Sequence, residues 1–99
     1  MFDKLMRAQQ KASEMKKRLD AITVSGSAEG GKITVNANAN KVIQSLTIDD
    51  AFFKATDREQ LEELLITAIN KAMEQANNAS QSEMAAMTKD MLGSLGNLF

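Results

Sequence analysis

The sequence predicts an α+β domain: an N-terminal helix, a three-stranded antiparallel meander, then a long C-terminal helix. Three observations predict it. Apolar residues recur at alternating spacings of 4 and 3 from Met1 to Ile22, then at every second residue from Ile33 to Ala39 with a second alternating run from Val42 to Ile48, then again at helical spacing from Leu61 onward. A switch of hydrophobic period from helical to two and back marks helix, strands, helix. Ninety-nine residues suit one domain with a thin core. The reading places that domain at residues 1–92 and a flexible tail at 93–99.

The first helix spans 2–21. Met1, Leu5, Ala8, Ala12, Met15, Leu19 and Ile22 form a heptad-like seam, and its two alanines let a neighbouring helix come close. Lys4, Arg7, Lys11 and Arg18 make a second stripe beside the seam, interrupted by Glu14. Ile22, Val24 and Ser25-Gly26-Ser27 suggest the first strand. Glu29-Gly30-Gly31 is a turn, since glycine accepts positive φ. Ile33, Val35, Ala37 and Ala39 then alternate with polar residues and define one face of a second strand. In the third, Val42, Gln44, Leu46 and Ile48 alternate against Ile43, Ser45 and Thr47. Asn38-Ala39-Asn40 reads as the turn between them, with Asn in the left-handed region.

Asp49-Asp50 can cap a short turn through residues 51–54. Thr56-Asp57-Arg58-Glu59 reads as a capping box, with Thr56 at the N-cap and Glu59 three residues on. The helix that follows carries Leu61, Leu64, Leu65, Ala68, Ile69, Ala72, Met73 and Ala76 on one face. Its first turns are acidic, where the helix dipole favours carboxylates. Asn77-Asn78 and Ser80 weaken it, and Met84, Met87 and Met91 resume the spacing. A helix from Asp57 to Asp90 would be ~50 Å long at ~1.5 Å per residue, whereas a compact domain of this size has a radius of gyration of ~13 Å. The helix must overhang its own domain. A homodimer is the simplest cover for the overhang, through Leu5, Ala8, Ala12, Met15, Leu65, Ile69, Met73, Met84 and Met87.

Composition excludes several functions. There is no Cys and no His. A Cys- or His-based zinc site, a Cys or His nucleophile, a Ser-His-Asp relay and a disulfide are all absent. No Pro, Trp or Tyr occurs, and four Phe are few for a stacking platform on single strands. Asp49-Asp50 reads as a helix start rather than a metal site, and Gly30-Gly31 does not open a helix as a phosphate loop would. No carboxylate pair stands out as an acid–base couple. The expectation is a non-enzyme without catalytic residues, metal, cofactor or small-molecule substrate. No stretch is long and apolar enough to span a membrane, and Lys4, Arg7 and Lys11 interrupt any signal-peptide run, so a cytoplasmic protein is expected.

The net charge of -1 hides a polarity. Residues 1–20 hold six cations against three carboxylates, and residues 49–75 hold three cations against seven. Such a chain can present a basic patch despite its balanced total.

Three stretches carry a resemblance. Met15 through Gly26 is similar to a Met-rich helix running into a Val-Thr-Gly strand, and Ile48-Asp49 to the Ile-Asp that closes a third strand. Leu61 through Ala72, followed by Gln81 through Thr88, is similar to a long helix patterned Leu-x-x-Leu-Ile, Ala-x-Asn-x-Ala and Met-Ala-x-x-Thr. In this order they resemble the YbaB/EbfC family of bacterial nucleoid-associated proteins over nearly the whole chain. The departures are a first helix without the family's N-terminal glycines, Asn38-Ala39-Asn40 in place of Asn-Gly, a tail without Pro, and Lys16-Lys17-Arg18 where acidic residues are common. The resemblance implies a tweezers-like homodimer that binds duplex DNA in the nucleoid, with a role in nucleoid organisation and gene expression. It implies no active site or cofactor. Charge alone picks the candidate DNA contacts: Lys4, Arg7, Lys11, Lys16, Lys17 and Arg18, with Lys32 and Lys41 on the sheet. The rival expectation is a dimeric helical adaptor that clamps a partner protein without direct DNA binding.

Overall fold

The computed structural model describes residues 2–96. Its elements are α1 (Phe2–Asp20), β1 (Thr23–Ala28), β2 (Ile33–Asn38), β3 (Ile43–Ile48), α2 (Asp50–Ala55) and α3 (Arg58–Gly96). The strands form one antiparallel sheet in the order β1-β2-β3, the meander that the alternation predicts. Met1, residues 97–99 and the side chains of Phe2, Met91, Leu92 and residues 94–96 lie outside the described residues.

The alternation of β2 sends Ile33, Val35 and Ala37 to one face, where all three are fully buried. On β1 the same face holds Gly26 opposite Val35 and Ala28 opposite Ile33. The other face is polar: Thr23, Ser25 and Ser27 are exposed, and Asn36 Nδ2 donates to Ser45 Oγ at 3.0 Å. What covers the apolar face is α3, packed on β1 and β2. Ala68, Ala72 and Ala76 recur one turn apart on that helix and are fully buried. A Cβ added at Gly26 would collide with the Ala68 carbonyl oxygen and the Ala72 amide nitrogen. The helix backbone therefore rests directly on the strand. Leu61, Leu64, Leu65, Ile69, Met73, Ile48 and Phe52 pack half-buried around this contact.

The third strand departs from simple alternation. Asn36 pairs with Ser45 but Ala37 pairs with Ile43, so Gln44 is an extra residue in the ladder. This bulge brings Ile43 onto the face of Leu46 and Ile48, which a regular strand would deny it. With α3 lying over β1 and β2, Ile43 and Leu46 stay 45% and 44% exposed.

Both turns and both helix starts have specific chemistry. In the first turn Glu29, Gly30 and Gly31 take positive φ (53°, 61° and 91°). In the second it is Lys41, at 66°, and not an asparagine. The asparagines are otherwise engaged: buried Asn38 accepts through Oδ1 from the amides of Asn40 (2.9 Å) and Val42 (3.1 Å). Asp49 caps α2 by accepting from the Phe52 amide at 3.0 Å. The N-cap of α3 is Asp57, not Thr56. Asp57 Oδ1 accepts from the Gln60 amide at 2.8 Å, while Thr56 ends α2 and its hydroxyl meets Gln60 Oε1 at 3.0 Å. A carboxylate is the stronger acceptor and also answers the positive end of the helix dipole.

The long helix exceeds its expected length. It continues through Gly93 to Gly96, so residues 93–96 are helical. A glycine inside a helix costs only about 1 kcal/mol and does not by itself stop one. Thirty-nine residues span ~58 Å at ~1.5 Å each. The chain measures 64 × 25 × 17 Å with a radius of gyration of 19.0 Å, well above the ~13 Å of a compact domain. The overhang inferred from length is present.

Gly26→Ala should therefore destabilise the chain by about 1–3 kcal/mol or more, because the backbone of α3 must lift. Gly30→Ala, with nothing within 4 Å of the added carbon, should cost only the strain of positive φ. Urea unfolding of the two variants checks the order of the effects.

Candidate nucleic-acid interface

The cations gather on an arm. As α1 is followed backwards α3 runs forwards: Arg18 lies by Glu83, and Ala8 and Ala12 lie by Met87. The two helices are thus antiparallel, and α1 accompanies the part of α3 that overhangs the sheet. Its attachment is concentrated at its C-terminal end. Leu19 is buried. The Ala39 amide donates to the carbonyls of Leu19 and Ile22, both at 3.1 Å. Asn40 Nδ2 donates to the Lys16 carbonyl at 3.0 Å and to Asp20 Oδ1 at 2.6 Å. The second hairpin thereby ties down the last turn of α1, giving the Leu19 carbonyl a second donor beside the Ile22 amide. Elsewhere along α1 only Met15 is even half-buried among the described side chains.

All six α1 cations are exposed, and the structure sorts them. Lys4, Arg7 and Lys11 share the groove between α1 and α3, where Ala8, Ala12 and Met87 form the floor. None of the three has an ion-pair partner among the described residues. Lys16 and Lys17 stand at the tied end, next to the hairpin that carries Lys41, because Asn40 ties that hairpin to the Lys16 carbonyl. Arg18 Nη1 lies 3.4 Å from Glu83 Oε2 and ties α1 to α3. Exposed pairs of this kind contribute about 0–1 kcal/mol, so Arg18 can exchange Glu83 for another anion. Lys32 is apart from the rest: it pairs with Asp49 at 3.8 Å, at the other end of β2, roughly 17 Å away at about 3.3 Å per residue.

The carboxylates cluster elsewhere. Asp57, Glu59, Glu62 and Glu63 occupy the start of α3, where Arg58 Nε meets Glu62 Oε1 at 2.9 Å. The charge polarity of the sequence becomes a spatial one, with a basic arm at one end and acidic helix starts at the other. Of the residues expected between subunits, Leu65, Ile69 and Met73 pack on the chain's own core, and Ala8, Ala12 and Met87 meet within one chain. Leu5 and Met84 remain largely exposed. Sequence reasoning missed the Asn40 staple and the Arg18–Glu83 tie. The staple had a signal in Asn38-Ala39-Asn40, whose side chains favour bonds to nearby backbone. Partners 65 residues apart have none.

Among the described residues, no group of three His, Cys, Asp or Glu side chains is placed to hold a metal ion. No described helix is long and apolar enough to cross a membrane. Fold and charge together define an α+β chain whose long helix carries an exposed cationic helical arm. The chain belongs to the YbaB/EbfC DNA-binding family, which matches residues 1–91. A nucleoid-associated protein of Thermus thermophilus is 39% identical, over 99% of this chain and 98% of that one. A nucleoid-associated protein of Flavobacterium johnsoniae is 34% identical, over 100% and 94%. A crystal structure of a Helicobacter pylori protein superposes with a TM-score of 0.67 at 19% identity, over 84% of this chain and 96% of that one; this likeness concerns the fold.

Asn40→Ala should destabilise the chain by about 1 kcal/mol by removing these hydrogen bonds and speed amide exchange in the last turns of α1. Exchange in the middle of α3 should be unchanged, and hydrogen-exchange mass spectrometry reads both.

Proposed function

We propose that this chain binds duplex DNA in the bacterial nucleoid as a homodimer, chiefly through phosphate contacts made by the arm. The observation that carries the reading is the set of exposed cations on α1, above all Lys4, Arg7 and Lys11, which no carboxylate of the described chain neutralises. Lys16, Lys17 and Lys41 extend the surface at the tied end, and Arg18 joins it by leaving Glu83. Lys32 is held by Asp49 and contributes little. Phosphate contact needs cations at the surface and little else. Base readout would call for a recognition helix or ribbon framed by a known docking motif, and the sequence carries none. Relatives named nucleoid-associated proteins support the nucleoid as the place of action, and a role in nucleoid organisation and gene expression follows from binding without strong sequence preference.

The dimer half of the proposal rests on apolar surface that one copy leaves open: Leu5 on α1, Ile43 and Leu46 on β3, Ile66 and Met84 on α3. A second copy that covers part of this surface also doubles the basic area presented to one duplex.

A salt titration tests the reading. Log affinity should fall linearly with log salt, and the slope should flatten by about 0.9 for each phosphate that is no longer neutralised. Changing Lys4, Arg7 and Lys11 together to Ala should flatten it and weaken two unrelated duplexes alike, whereas Lys32→Ala should leave it unchanged. Sedimentation equilibrium of the free protein should give twice the chain mass. A triple variant with the wild-type slope would move the DNA surface off the arm.

A further inference from the structure

The groove on the arm has a feature that phosphate contact does not call for. It is a shallow, open groove of about 390 Å³, lined by the cations Lys4, Arg7 and Lys11 and by an apolar floor of Ala8, Ala12 and Met87. No carboxylate lines it. Phosphate uses the cations and gains nothing from the floor. An apolar floor beside cations fits a partner that is apolar on one side and anionic on the flank.

The spacing says which kind of partner. Lys4, Arg7 and Lys11 step three and four residues, about one cation per helical turn. A helix lying along α1 presents carboxylates at the same pitch when its acids recur every three or four residues. Ala8 and Ala12, one turn apart, offer nothing beyond Cβ, so the partner's apolar side chains reach the surface of α1 itself. Met87, unbranched and flexible, adapts to their shape. This is helix-in-groove recognition, read by anchors one turn apart.

We propose that the groove docks an acidic amphipathic helix of a partner protein, and that this helix and DNA exclude each other because both use Lys4, Arg7 and Lys11. The exclusion rests on the DNA reading above; the docking does not.

The test uses the full chain and two fluorescent peptides of about 18 residues, five helical turns. One carries Leu at i, i+3, i+4 and i+7 with Glu on the flanks; the other has the same composition in scrambled order. The patterned peptide should bind at least about tenfold more tightly than its isomer, and unlabelled duplex should displace it. Ala8→Gln with Ala12→Gln fills the floor with polar side chains, keeps every cation, and uses a good helix former at exposed positions. It should abolish the preference for the patterned peptide and leave DNA affinity unchanged. Met87→Gln, on the facing helix, should act in the same direction. Equal binding of the two peptides, or floor variants that keep the preference, would overturn the docking. Loss of dimer mass in the Gln variants would assign the groove to a second copy of the chain and overturn it as well. Patterned-peptide binding that duplex does not displace would overturn the exclusion while supporting the docking. A wild-type chain that binds the peptide but no duplex would contradict the DNA reading separately.

Discussion

The close approach of α3 to β1 at Gly26 is the constraint on which the rest of the structure depends. A glycine on the strand and alanines one turn apart on the helix let two backbones touch without side chains between them. Larger residues fill in on either side, and Ile33 and Val35 are the largest side chains fully buried beneath. The core is thin, as the length requires, and its one long helix cannot be shifted far without exposing it. Fixing α3 over β1 and β2 has two consequences. One end of the helix projects beyond the sheet, and Ile43 and Leu46 on the inner face of β3 are left partly uncovered.

The projecting end gives α1 something to lie along, but the bond is light. The Asn40 and Ala39 staple, buried Leu19 and the Arg18–Glu83 tie all act near the C-terminal half of α1. Towards its start the helix meets α3 across the shallow groove floored by alanines. An arm held this way keeps its cations in water, where they are available to an anion and carry no desolvation penalty. The acidic start of α3 is far down the same helix, so it neither neutralises the arm nor competes strongly with phosphate beyond a Debye length of about 10 Å at 0.1 M salt.

The main elements were legible because each has its own hydrophobic period. The strict alternation from Ile33 to Ala39 fixes which face of β2 is inside, and Gly30-Gly31 marks the first turn. The bulge at Gln44 was not legible: Val42, Ile43, Leu46 and Ile48 are all apolar, and they suit either register. The start of α3 was misplaced by one residue because Thr56 and Asp57 are both able caps, and its end because glycine weakens a helix without ending it. Gly26 read as an ordinary strand residue; only with Ala68, Ala72 and Ala76 across from it does its purpose emerge. At the candidate site the stripe Lys4, Arg7 and Lys11 follows from helical spacing alone. That Arg18 is tied to Glu83, and Lys32 to Asp49, depends on tertiary contacts between distant residues. Local pattern cannot carry that information.

The central claim is that the arm, and not the sheet end, meets DNA. Amide chemical shifts of the isotope-labelled chain, followed by NMR as a short duplex is added at moderate salt, test it most directly. The account predicts that the shifts concentrate on Lys4 through Arg18 and around Lys41, with little change at Lys32 and at Asp57 through Glu63. Shifts concentrated on the first hairpin or the acidic start of α3, with α1 silent, would contradict it.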